Sequence, residues 1–147
     1  MPRLYVAGKF AQAQTIKGIA EKFEQQGYTI THRWWDAEGD GNDDPETWAP
    51  YADMDIEGVT TADAVVAYMD DPDYAYRGTW CEIGMAMGAG VPVVIIEQNV
   101  PLGCYVRKNV FYHASRIAKV PSVAAAEQWL RTYQPVHNDS VSANPVS

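Results

Sequence analysis

Two carboxylates and a phenol, Glu82, Asp55 and Tyr5, are the side chains of this sequence whose types and placing could do chemistry together. Glu82 stands in Gly78-Thr79-Trp80-Cys81-Glu82-Ile83-Gly84-Met85-Ala86, a helix-like segment between the apolar runs Ala64 to Met69 and Pro92 to Ile96. In such a set one carboxylate can attack an anomeric carbon and form a glycosyl-enzyme while a second group protonates the leaving group. Alternatively a carboxylate activates water directly. Tyr5 could hydrogen-bond Glu82 and hold it in position for attack. Glu82 also has a structural reading. Thr79-x-x-Glu82 fits a capping box, and a carboxylate in the first helical turn gains from the helix dipole.

The elements that must position these residues follow from the apolar pattern. Leu4 to Gly8 reads as a short buried strand, and Ile16, Ile19, Ala20 and Phe23 give an amphipathic helix over residues 12–26 that Gly27 stops. Tyr28 to Trp35, β-branched and aromatic, predicts a second strand. Asp36 to Pro50 predicts a loop, and Asp53 to Ala62 a short helix leading into the strand from Ala64 to Met69. Val93 to Ile96 predicts the next strand and Val110 to His113 a fifth, with a last helix opening at Pro121-Ser122 and carrying Val123, Ala126, Leu130 and Tyr133 on one face. Strands alternating with helices predict an α/β three-layer sandwich with a parallel five-stranded sheet, order 2-1-3-4-5, as in flavodoxin-like folds. Residues 1–135 form one domain in this reading, and residues 136–147 a polar tail expected to be disordered or to lie on a neighbouring subunit.

In right-handed crossovers each helix starts near the carboxyl edge of the sheet. Asp55 and Glu82, at helix starts, therefore join Gly8 and Phe10 on that edge with Tyr5, whereas Asp63 falls on the far side. Ligands bind at that edge, at the switch point between the first and third strands.

Composition excludes several classes. A formal net charge of −8 argues against a nucleic-acid polymer as partner and gives no help toward anionic membranes. No apolar run approaches a membrane span or a signal peptide, and Cys81 and Cys104, far apart, read as reduced thiols, so a cytoplasmic location is expected. There is no GxGxxG after the first strand, no P-loop and no metal-like spacing among the three His, so no cofactor and no metal is expected. The acidic run Asp40-Gly41-Asn42-Asp43-Asp44 lacks the EF-hand pattern and reads as a solvated loop.

Three blocks, Tyr5-Val6-Ala7-Gly8-Lys9-Phe10, Asp55-x7-Asp63, and Gly78-Thr79-x-x-Glu82-x-Gly84-x-Ala86 with Gly90-Val91-Pro92-Val93, make the chain similar to the nucleoside 2-deoxyribosyltransferase family over about its first 115 residues. The resemblance implies cleavage of the N-glycosidic bond of 2′-deoxynucleosides through a covalent deoxyribosyl-glutamate. The sugar then passes to another base or to water. It makes Glu82 the nucleophile and Tyr5 its positioner. Asp55 would assist at base or sugar, Phe10 would stack near the base, and Asn109 would complete a site shared between subunits of a homo-oligomer. Partners would be a deoxynucleoside or deoxynucleotide and a free nucleobase.

Six residues ahead of Glu82 the transferases carry an Asp, and the related 2′-deoxynucleoside 5′-monophosphate hydrolases a Ser. This chain has Tyr76 there, beside Arg77 and Gly78. Arg77 near a helix start could favour a 5′-phosphate or simply pair with Asp71 or Asp73. Trp35, with Trp34 and Trp48, could shape a base pocket or serve as core or subunit interface. A 5′-monophosphate hydrolase and a non-catalytic nucleotide-binding module of the same fold are the competing expectations.

Overall fold

A computed structural model describes residues 2–36, 45–98 and 100–133. The acidic run Asp40 to Asp44 and the tail from residue 136 lie outside them. The element order is β1 (Arg3–Gly8), α1 (Ala13–Gln25), β2 (Thr29–Ile30), α2 (Pro45–Thr60), β3 (Ala64–Tyr68), α3 (Arg77–Gly88), β4 (Val93–Ile96), β5 (Ile117–Val120) and α4 (Val123–Thr132). All five strands are parallel, in the order β2-β1-β3-β4-β5. This is the expected flavodoxin-like α/β sandwich.

The central strands are continuous apolar runs because helices cover both their faces. On one face Tyr5, Ala7, Val65, Ala67, Val93 and Ile95 pack with Val59 of α2 and with Ile83 and Ala86 of α3. On the other, Leu4, Val66, Val94 and Ile96 pack with Ile19 and Phe23 of α1 and Ala126 of α4. The side chain of Ser122 caps α4 by accepting the Ala125 N–H at 3.1 Å. Tyr5 therefore points to the face that carries α2 and α3, and this decides which helices can deliver partners to its hydroxyl.

Four elements depart from the sequence reading. The second strand stops at Ile30 and does not reach Trp35. The Trp34 indole N–H donates to the Val6 carbonyl at 2.8 Å, where a further ladder bond would otherwise go, and Trp34–Asp36 forms a 3-10 turn. Second, α2 is far longer than the helix expected from Asp53, since it begins at Pro45, inside the expected loop. Only its last turns are buried, at Gly58 and Val59. Third, Val110–His113 is a 3-10 turn capped by Asn109, whose side chain accepts the Phe111 N–H, and the fifth strand lies later, at Ile117–Val120. Fourth, α3 starts at Arg77 with Tyr76 as N-cap and no side-chain cap. Thr79 is buried inside the helix, so the expected capping box is absent.

Candidate active site

Because α3 begins at Arg77, Glu82 falls in its second turn, roughly 7.5 Å along the axis from the helix start. Its carboxylate does not turn back to a cap. It crosses to β1, where the Tyr5 hydroxyl makes a short hydrogen bond with Oε2. The same hydroxyl lies 2.9 Å from Asp55 Oδ1 of α2, and His32, just past β2, places Nδ1 2.8 Å from that same oxygen. Four elements thus converge on one line of polar atoms, Glu82–Tyr5–Asp55–His32. Asp63 sits at the opposite edge, accepting the Arg3 N–H at 2.7 Å, as its position at a strand start requires.

The line is held by close packing behind it. A Cβ on Gly58 would sit 3.0 Å from both His32 Cβ and Tyr5 Cδ2, so α2 approaches both side chains only because residue 58 has none. Gly8 ends β1 in the same way, tight against Ile16 and the Tyr68 carbonyl. The Tyr5 ring is buried, while Glu82 keeps intermediate exposure.

Burial pushes the Glu82 carboxyl up to about 7; the Tyr5 hydrogen bond opposes the rise and the Asp55 charge adds to it. Tyr5 is raised far above the ordinary phenol range, by burial first and then by Glu82 and Asp55, so it stays protonated. One phenol proton faces two carboxylates. Tyr5 can donate to only one of them at a time.

The structure places the other expected residues unevenly. Phe10 is 67% exposed, its ring 6.3 Å from Trp34, at the carboxyl end of β1. Trp35, expected to shape a pocket, is instead buried against Val6, Ile16 and Ala20 on the α1 side. Tyr76 is buried too, in the left-handed region at φ 51°, its hydroxyl accepting the Asp71 N–H at 3.0 Å and its ring edge-on to Tyr74. Such a conformation costs a non-glycine residue about 1 kcal/mol or more and is kept by the burial of the ring. Arg77 and Gly78, both exposed, form the first turn of α3. Asn109 is occupied with its own turn, away from the Glu82 line in sequence and hydrogen bonding. His32 escaped the sequence reading, although the edge argument that placed Asp55 applies equally to a residue directly after β2. Among the described residues no group of three His, Cys, Asp or Glu could hold a metal, and no helix is long and apolar enough to cross a membrane.

A family model described as nucleoside 2-deoxyribosyltransferase matches residues 4–114. The chain belongs to this family. No curated protein sequence matches it significantly. Among solved structures it resembles a 2-deoxyribosyltransferase from Bacillus psychrosaccharolyticus at 18% identity and TM-score 0.65, covering 90% of this chain and 92% of that one. It also resembles the CMP N-glycosidase BcmB of Clostridium botulinum at 16% identity and TM-score 0.55, covering 88% of this chain and 98% of that one. The solution structure of BlsM is similar at 21% identity and TM-score 0.58, covering 99% and 96% of the two chains. At these identities the structural likenesses establish the shared fold. Activity has to be argued from the site itself.

Proposed function

We propose that this member of the family cleaves the N-glycosidic bond of 2′-deoxynucleosides through a covalent deoxyribosyl-Glu82 intermediate and passes the sugar to another nucleobase or to water. The observation that carries the reading is the convergence of Glu82 and Asp55 on the single hydroxyl of Tyr5.

At rest, Glu82 holds its proton toward neutral pH and donates it to the Tyr5 oxygen, while Tyr5 donates to Asp55. Moving both protons one place along the line ionises Glu82, which now accepts from Tyr5, and leaves Asp55 protonated. The nucleophile is freed and the acid loaded in one rearrangement, with no net gain or loss of protons. A Glu82 oxygen then bonds to C1′, and the C1′–N bond breaks with its electron pair going to the base. The base takes the Asp55 proton. In the second half, a ring nitrogen of an incoming base, or water, attacks C1′ and displaces the Glu82 carboxylate. The proton that the attacking nitrogen or water gives up returns to Asp55. Among the described residues the His32 ring hydrogen-bonds to Asp55 and acts as its positioning residue, and Tyr5 never needs to become a phenolate.

Trp48, Tyr51 and Met54 lie on the exposed part of α2, and a second copy of the chain covering them is the reading that fits a homo-oligomer. Phe10 and Trp34 would offer the base an aromatic wall.

Base release from the four deoxynucleosides, followed chromatographically with and without adenine as acceptor, tests the function. Exchanged deoxyadenosine that disappears with Glu82→Ala supports it. A Glu82→Ala protein that turns over like the parent would refute the assigned nucleophile. Binding without turnover in the parent would instead support a binding module.

A further inference from the structure

Directly beyond β1, Lys9 reaches across to the end of β3. Its Nζ lies 2.7 Å from Asp71 Oδ2 and 4.6 Å from the centre of the Tyr74 ring. Asp71 is itself fixed from several sides. Its Oδ1 accepts the Asp73 N–H at 3.1 Å, and its own N–H is taken by the buried Tyr76 hydroxyl. The Lys9 ammonium holds the Asp71 carboxyl below the usual carboxylate range. Next to it, Asp70 accepts from the Tyr68 hydroxyl at 2.7 Å and from Gln12 Nε2 at 2.9 Å. This rim stands at the paired carboxyl ends of β1 and β3, directly ahead of the first turn of α3, on the sheet edge where ligands bind in such folds. It carries the carboxylates Asp70, Asp71 and Asp73 against the cations Lys9 and Arg77.

We propose that the Lys9–Asp71 pair selects the 5′ group of the substrate, admitting an uncharged 5′-hydroxyl and disfavouring a 5′-phosphate. The inference rests on the glycosyl-cleaving reading for where the sugar lies. With C1′ at Glu82 and the base side served by Asp55, the sugar's 5′ carbon extends toward the α3 start and the Lys9–Asp71 rim. A hydroxyl there can accept from Lys9 and donate to Asp71 with both still paired. A phosphate dianion has to pull Lys9 off Asp71 and then face the bare carboxylate, with Asp70 and Asp73 close by. Surface pairs are individually weak. This one is reinforced by the ring beneath Lys9 and the backbone bonds around Asp71, so its geometry is set before the ligand arrives.

Asp71→Asn tests this. It keeps an oxygen for the Asp73 N–H, removes one negative charge and releases Lys9. The 5′-monophosphate-to-nucleoside ratio of kcat/KM, for deoxyadenosine and deoxycytidine, should rise roughly tenfold or more, the scale of one charge-assisted hydrogen bond gained by the phosphate. Adding Lys9→Gln should reverse most of the rise. Asp73→Asn, which removes equal charge without freeing Lys9, should shift the ratio less than about threefold. Calorimetric binding of the same four ligands supplies a second readout that needs no turnover. A parent that favours the monophosphates, or an Asp71→Asn ratio equal to the parent's in both readouts, would overturn the selection. A parent that binds as predicted but releases no base would sink the catalytic reading while leaving the selection supported. Binding of neither ligand class would sink both.

Discussion

Replacing Glu82 by Gln should make the protein more stable above neutral pH while removing its proposed chemistry. The carboxyl sits at about 7 in the fold against an ordinary 4.5, mainly through burial. A group raised on folding contributes its full stability below the unfolded value and loses it as pH climbs through the folded one. Between pH 4.5 and 7 the native state holds a proton that the unfolded chain has released, so the parent weakens across that window. The interval corresponds to an upper bound of about 3 kcal/mol, reduced by the partial exposure of Glu82. Gln carries no charge and avoids this loss. Urea unfolding of parent and variant from pH 4.5 to 8.5 should show curves that nearly coincide at the acid end. They should separate steadily up to pH 7 and then run parallel, the variant more stable by about 2–3 kcal/mol. A pH-independent offset, or a variant less stable than the parent at pH 8, would mean that Glu82 is not held in a desolvating site and that the proton arrangement along Tyr5 is wrong.

Tyr5→Phe keeps the buried ring and removes the hydroxyl whose hydrogen bond lowers the Glu82 value. The limb of kcat/KM that Glu82 sets near neutral pH should move upward by about 1–2 pH units, and activity at pH 7 should fall roughly 10- to 100-fold because the line is broken; an unshifted limb would remove Tyr5 from the proposed line. Gly58→Ala places a methyl 3.0 Å from both His32 and Tyr5. It should lower stability by about 1–3 kcal/mol in a melting experiment and lower kcat more than KM changes, whereas wild-type kcat would show that the close approach of α2 is dispensable. Light scattering at working concentration should report more than one copy of the chain, and Trp48→Glu with Met54→Glu should shift it toward a monomer. A parent that is monomeric at the start would contradict the covering of α2.

The fold was legible where hydrophobic runs meet helical periodicity, and so was the edge on which Tyr5, Asp55 and Glu82 gather. Asp55 came to the right place for a reason that needed amending. It is not at a helix start but five residues from the end of α2, whose earlier turns lie exposed. Polar and Pro-bearing residues from Pro45 to Asp53 disguise those turns, because a helix without a buried stripe has no periodic signal. Val110 to His113 misled in the opposite direction. Its residues are β-like in type, yet Val110 and Phe111 are exposed and Asn109 ties the backbone into a turn, a local hydrogen bond that composition does not reveal. The true edge strand, Ile117-Ala118-Lys119-Val120, is short and has Lys in its middle. Thr79 and Glu82 match a capping box in spacing, but the helix begins two residues before Thr79. The side chains then turn to the core and to Tyr5. Trp34 and Trp35 are neighbours in sequence with opposite fates, one at the β1 carbonyls beside Phe10 and one under α1; only the three-dimensional path of the turn separates them.

The most direct test of the account is to trap the intermediate. A 2′-fluorinated deoxynucleoside, whose sugar fluorine slows breakdown of a glycosyl ester, would be mixed with the protein, quenched and analysed by intact-mass and peptide mass spectrometry. A single fluoropentosyl adduct is expected on the peptide containing Glu82, chased off by adenine and absent from Glu82→Gln. Base release with no adduct at any time, or an adduct on another residue, would contradict it.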